Sequence, residues 1–266
     1  MKTKEEIVAN WLPRYTQREL NDFSQYILLT NFNKYVEIFA EKYDVPILGY
    51  HRANMISAKA DGITIINCGM GSPNAAIIMD LLSAIKPKAC LFLGKCGVLH
   101  ENVQLGDFIL PIAAIRGEGT SNDYFPPEVP ALPVFMLQRA VSTVIRNNER
   151  DYWAGTVYTT NRRIWEYDEK FKEYLRVTRA MAIDMETATL FTTGFANHIP
   201  TGALLLVSDQ PMIPEGVKTS KSDSQVTKKF AEEHVEIGIQ SLKIHKPDIP
   251  RRSPKMIGFK TLPSTC

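Results

Sequence analysis

The stretch from Ile63 to Leu93 constrains the fold more than any other part of this chain. Ile63-Thr-Ile-Ile-Asn-Cys is a short run rich in β-branched residues, the composition of a buried strand. It stops at Gly69-Met-Gly71. Ser72-Pro-Asn-Ala-Ala follows as a helix start, with proline in the first turn, where its missing N–H is not needed. The segment continuing through Ile85 is apolar nearly all round, which predicts a helix buried on every side. Pro87 ends it, and Ala89 to Leu93 reads as a second buried strand leading into a turn at Gly94-Lys-Cys-Gly97. Strand, helix and strand in that order predict an α/β fold with mixed or parallel pairing.

The remaining chain follows the same grammar. Tyr26 to Leu29, Phe108 to Ala114 and Ala154 to Thr160 read as strands, and Asn33 to Tyr43 and Pro133 to Arg146 as helices. Residues 1–25 form a polar, helical N-terminal extension, with Ile7, Val8, Trp11 and Leu12 as its packing face. Thr227 to His245 is amphipathic, with Val235, Gly238, Ile239 and Leu242 spaced for one helix face. Residues 116–133 hold too many turn formers for an element and read as a long loop. Residues 211–225 read as a polar loop carrying Lys218. The expected organisation is one domain, 26–245, between the extension and a basic, Pro-containing tail, 246–266.

Bulk properties exclude several functions. The net charge of +2 creates no global field for nucleic acid or a membrane surface. No run approaches the roughly 18 apolar residues of a membrane span. The N-terminus, Met-Lys-Thr-Lys-Glu-Glu, has no apolar segment, so neither a signal peptide nor export is expected and the expected location is cytoplasmic. The four cysteines have no metal-ligand spacing, and the histidines have no partner at helical spacing. Neither a metal nor an organic cofactor is expected.

Two strand ends carry carboxylates. Ala182-Ile183 leads to Asp184-Met185-Glu186, and Leu204 to Val207 leads to Ser208-Asp209. In open α/β sheets the functional groups gather past the carboxyl ends of the strands, so Glu186 and Asp209 can face one pocket. The plainer alternatives stay open on the residues alone: Glu186 as an acid in the first turn of a helix over 187–198, Asp209 as a turn residue before Gln-Pro. Gly69-Met70-Gly71 admits an anion at a helix start or simply a tight turn. Lys95 between glycines admits a phosphate contact or a solvated side chain. Arg162-Arg163 beside Trp165 admits bidentate anion binding or a surface pair.

Gly69-Met-Gly-Ser-Pro, Gly94-Lys-Cys-Gly, Met185-Glu186 and Ser208-Asp209 stand in the order and spacing of the nucleoside phosphorylase and nucleosidase superfamily, which the chain resembles over residues 26–245. Within it, Pro73-Asn-Ala, Phe125-Pro-Pro-Glu-Val-Pro, Arg163-Ile-Trp-Glu, Ala182-Ile-Asp-Met-Glu-Thr-Ala-Thr and Leu206-Val-Ser-Asp-Gln-Pro are similar to the catalytic domain of the AMP nucleosidases, as is Lys255-Met-Ile-Gly-Phe in the tail. Longer members of that family carry an N-terminal regulatory domain for which this chain has no room. The resemblance implies a single-domain α/β/α sandwich around a mixed central sheet, assembled as a homohexamer, a trimer of dimers. It implies hydrolysis of AMP to adenine and ribose 5-phosphate, with small-molecule substrate as the only partner. Asp209, after Ser208, would protonate the purine. Glu186 would hold the ribose hydroxyls, with Met70 and Met185 under the sugar, Gly71 and Ser208 would also bind substrate, and Tyr158 or Trp165 would cover the base. The positions at which phosphorylases hold inorganic phosphate align with Asn31, Tyr35, Phe92 and Lys95. All four have changed, which favours water as nucleophile and frees Lys95, with Arg116, Arg162, Arg163 or Lys218, for a 5′-phosphate. The rival enzyme is a purine nucleoside phosphorylase, or a nucleosidase for unphosphorylated substrates. The rival from another class is a nucleotide sensor, which would not need the acid at 209.

Overall fold

The computed structural model describes residues 2–50 and 54–245; His51, the tail 246–266 with its Lys255-Met-Ile-Gly-Phe segment, and Cys266 lie outside them. The elements run α1 (Lys4–Thr16), β1 (Tyr26–Thr30), α2 (Asn33–Tyr43), β2 (Ser57–Ala60), β3 (Ile63–Asn67), α3 (Ser72–Leu82), β4 (Ala89–Val98), β5 (Phe108–Gly117), α4 (Phe135–Asn147), β6 (Trp153–Thr160), α5 (Glu169–Thr178), β7 (Ala182–Asp184), α6 (Thr187–Ala196), β8 (Thr201–Asp209) and α7 (Ser220–Ile244).

The strand order is β2-β3-β1-β4-β7-β6-β5-β8, and β8 pairs again with β4. The sheet therefore closes: β4, β7, β6, β5 and β8 form a ring, and β1, β3 and β2 extend from it. The pairing is mixed, parallel for β1–β3, β1–β4, β4–β8, β5–β6 and β6–β7, antiparallel for β2–β3, β4–β7 and β5–β8.

Period-two alternation sorts the side chains into two cores. Ile27, Leu29, Cys90, Phe92, Leu205 and Val207 point to one, with α1, α3 and α6 above them. Leu28, Leu91, Leu93, Leu204 and Leu206 point to the other, covered by α2, α4 and α7. The expected α/β/α layering is present. The helix after Gly71 is buried on nearly every side, and Val235, Gly238, Ile239 and Leu242 all face inward.

Several expectations need correction. Gly94–Gly97 is not a turn: β4 continues through it to Val98, because β8 pairs with it as far as Gly97 and β7 pairs with Gly97 and Val98. Helix α7 begins at Ser220, inside the expected loop 211–225, because Thr219 caps it: its hydroxyl accepts from Ser222 N while Ser222 Oγ accepts from Thr219 N. On α1, Val8 and Leu12 are buried, but Ile7 and Trp11 face outward. Helix α5 and strand β2 had no signal strong enough to be read. The ten residues of α5 bury only Lys172 and Leu175, and β2 is four small or polar residues.

Candidate active site

The carboxyl ends of β1, β3, β4, β6, β7 and β8 surround a cleft of about 270 Å³, close to the lower limit of ordinary small-molecule sites. Its wall holds Asn31 and Phe32 after β1, Met70 after β3, Lys95 to Gly97 on β4, Thr160 at the end of β6 with Arg162, Arg163, Trp165 and Glu166 after it, Ile183 to Glu186, Asp209, Lys218 just before α7 and Asp223 in its first turn.

A β-bulge aims Asp209. Cys96 pairs with Val207, but Gly97 pairs with Asp209, leaving Ser208 as the extra residue on β8. Without it, Asp209 would share the face of Leu205 and Val207; the one-residue slip turns it to the other face. Gly97 leaves the room: a Cβ there would sit 3.0 Å from Asp209 Oδ2 and 2.9 Å from Pro211 Cγ. Ser208 Oγ donates to Asp209 Oδ1 at 2.6 Å and lies 3.3 Å from Cys96 O. Lys218 Nζ stands 3.3 Å from the same carboxylate. Asp209 is 8% exposed, so one edge reaches the cleft.

Glu186 precedes α6 but does not cap it. Asp184 does, accepting from Thr187 N at 2.8 Å, from the Thr187 hydroxyl, and from Thr159 Oγ1 at 2.7 Å. Glu186 reaches across to α3, where Gly71 N donates to Oε1 at 2.6 Å. Gly71 has φ +93°, a conformation that side-chain-bearing residues rarely adopt, so the glycine positions that N–H. Ser72 Oγ donates to Met185 O at 2.7 Å, fixing the second strand end to the same helix start. The Glu186 carboxyl is pushed up to about 7, first by burial and then by the Asp184 charge, against the pull of the Gly71 N–H. Burial also raises Asp184. Two carboxylates share a desolvated corner, where the charge on one opposes ionisation of the other.

The cations are distributed unevenly. Lys95 lies on the face of Leu91 and Leu93, so it meets α7: Nζ donates to Asp223 Oδ1 at 2.9 Å and Thr227 Oγ1 at 2.5 Å. Arg162 pairs with Asp168 at 2.9 Å and Arg163 with Glu166 at 3.6 Å. Both arginines lie on the rim of the cleft and stay substantially exposed.

Met70, Lys95, Arg162, Arg163, Trp165, Met185, Glu186, Asp209 and Lys218 thus come together. Gly71 and Ser208 support Glu186 and Asp209 from behind the wall. Arg116 and Tyr158 do not join them. Arg116 donates to Ser121 Oγ, Asn122 Oδ1 and the carbonyls of Phe125, Pro126 and Val129; all five guanidinium N–H groups organise the long loop. Tyr158 packs under α5 against Phe171 and Tyr174, because its alternation places it behind the cleft. Of the two aromatic candidates, Trp165 lines the cleft. Sequence reading missed Phe32 and Asp223 as wall residues. Phe32 follows a strand end, a position that could have flagged it. Asp223 was hidden in a polar run whose only helix signal is the Thr219 cap. Among the described residues no group of three or more His, Cys, Asp and Glu side chains could hold a metal ion.

A closed mixed sheet flanked by helices, with two strand-end carboxylates on one cleft, defines a class. The profile of the phosphorylase superfamily matches residues 25–243, and the chain belongs to that superfamily. Among solved structures, an AMP nucleosidase from Bacteroides thetaiotaomicron is 64% identical, with TM-score 0.82, over 91% of this chain and 98% of that one. An AMP nucleosidase of Escherichia coli K12 is 28% identical over 87% of this chain but only 57% of its own length, so the chain spans little more than half of that relative. A uridine phosphorylase from Vibrio fischeri, 22% identical with TM-score 0.74, shares the fold.

Proposed function

We propose that this protein hydrolyses the N-glycosidic bond of AMP, giving adenine and ribose 5-phosphate. The observation that carries the reading is the convergence of Asp209 and Glu186 on one cleft in a chain 64% identical to an AMP nucleosidase. Breaking the C1′–N9 bond leaves positive charge on the sugar and negative charge on the base. Asp209 protonates the purine at N7 so that it leaves neutral, a contribution typical of a positioned general acid. Ser208 and Lys218, already on that carboxylate, orient it and steady the charge left behind. Ionised Glu186 accepts from the ribose hydroxyls and stabilises the oxocarbenium-like sugar. Met70 and Met185 floor the sugar, and Trp165 with Phe32 encloses the organic part of the nucleotide. Water adds to C1′.

Arg162 and Arg163 receive the 5′-phosphate. Arg116 is saturated within its loop and Lys95 is closed in by Asp223, Thr227 and the Phe32 ring, whereas the rim arginines keep donors toward solvent and offer planar forks for an anion. Ile164 and Tyr167, exposed in the segment that carries these arginines, are the surface we assign to contact with another copy in a homo-oligomer, checked by light scattering.

The test is release of free adenine from AMP, adenosine and methylthioadenosine, each with and without inorganic phosphate. AMP alone should react, independently of phosphate. Equal cleavage of adenosine, or a requirement for phosphate, would sink the reading. Replacing Arg163 by alanine should raise KM for AMP with little change in kcat.

A further inference from the structure

One carboxylate in the cleft serves neither sugar nor base. Asp223, in the first turn of α7, lies 2.9 Å from Lys95 Nζ and 3.7 Å from Lys218 Nζ. Lys95 is brought in by β4 with 2% of its side chain exposed, and an ammonium so enclosed needs a counter-charge. Thr227 Oγ1 at 2.5 Å and the Phe32 ring, 4.4 Å from Nζ, close the rest of its surroundings. Burial alone would favour the neutral form of Asp223, but the hydrogen bond from Lys95 and the nearby Lys218 outweigh it and hold its pKa below the usual carboxylate range.

A buried lysine on the wall of a cleft is a natural seat for an oxyanion from solution. Here the protein's own anion is in that seat. A phosphate dianion entering beside Lys95 would have to part this pair or lie against Asp223, where like charges in a poorly solvated cleft repel strongly. A phosphate ester tethered to a bound nucleoside has the rim arginines instead; free phosphate has no tether.

We propose that Asp223 is a built-in anion that occupies the seat at Lys95 and thereby excludes inorganic phosphate from the cleft, leaving water to attack the sugar. The choice between water and phosphate rests on the hydrolytic reading above; exclusion of the anion is independent of it.

The experiment is calorimetric titration with inorganic phosphate, with ribose 5-phosphate present at saturation so that any subsite for a phosphate ester is already filled. Wild type, Asp223→Asn, Asp223→Ala and the double variant Lys95→Met/Asp223→Asn are compared, each shown to be folded by circular dichroism. Removing the carboxylate leaves a buried charge without compensation, so both single variants should bind phosphate at least tenfold more tightly than wild type, and the double variant should lose that gain. Folded single variants that bind phosphate no better than wild type would overturn the proposal. So would a gain that survives in the double variant, because the anion would then sit away from Lys95. Adenine release from AMP by the wild type is measured in parallel. Its absence would remove the proposed reaction while leaving the phosphate titration to decide the role of Asp223.

Discussion

Glu186 and Asp184 make the site sensitive to pH. Glu186 is raised to about 7 by burial and by the neighbouring Asp184 charge. The folded protein holds this proton more tightly than the unfolded chain does, so the associated stability is full below the unfolded glutamate value of about 4.3 and is lost as pH rises through about 7. Glu186→Gln should flatten that part of the stability–pH curve, seen in thermal midpoints from pH 5 to 8, while abolishing turnover. In the proposed reaction sugar binding needs the ionised form, so kcat/KM should rise with pH through the same region. Asp184→Asn removes the like charge yet can still accept from Thr187 N, so it should move this limb to lower pH; an unmoved limb would assign the titration elsewhere. For Asp209, exchange to asparagine keeps the shape and removes the proton. Turnover should fall by roughly 10²–10⁴-fold with AMP binding retained, and near-normal kcat would dismiss it as the acid.

The bulge in β8 is the device that turns a strand end into a site. It works only because Gly97 on β4 has no side chain. In Gly97→Ala the new methyl would meet Asp209 Oδ2 and Pro211, and β4, paired with β7 and β8 at this point, has no room to retreat. Displacement of Asp209 should lower kcat on the order of a hundredfold, and the crowding against Pro211 should also lower the thermal midpoint. The loop after β5 depends on a different device. Arg116 holds three of its carbonyls and two of its side chains, a fan that a lysine ammonium does not reproduce. Arg116→Lys should destabilise the protein by on the order of 2 kcal/mol and expose residues 118–131 to limited proteolysis. Protease resistance equal to wild type would contradict this.

Two cores, one on each face of the sheet, hold the strand ends in register across the molecule. Helix α1 closes the first of them. Leu12 is fully buried there, and the Lys4 ammonium is tied to Asp80 at 2.7 Å and to Asn197 Oδ1 at 2.8 Å. Asp80 also accepts from Tyr124 OH at 2.6 Å, so α1, α3, the long loop and α6 meet at one carboxylate. Leu12→Ala should cost about 2–5 kcal/mol, read as a lowered thermal midpoint, with KM unchanged because Leu12 is not part of the cleft wall. Lys4→Ala breaks only a partly exposed pair and should cost within about 1 kcal/mol.

What the linear chain determined by itself was the alternation of elements and the two candidate acids. Apolar runs such as Ile63–Cys68 and Leu204–Val207 state their burial through composition alone, and motif order placed Glu186 and Asp209 together within a recognisable superfamily. What it left open were matters of facing and partnership. Lys95 looked available because no local pattern reveals that β4 continues past it and that its pleat turns it toward α7. Arg116 looked like an anion ligand because a guanidinium shows its charge in sequence but not the carbonyls that fold back onto it. Tyr158 and Trp165 looked alike until strand alternation sent one behind the wall and left the other on it. Asp223 was silent, its meaning supplied entirely by two lysines, one of them 128 residues away in the chain. Local energetics choose helix or strand, and those terms are written in neighbouring residues. Which charge meets which is decided by strand pairing and helix packing across the sheet, and only the tertiary structure carries that.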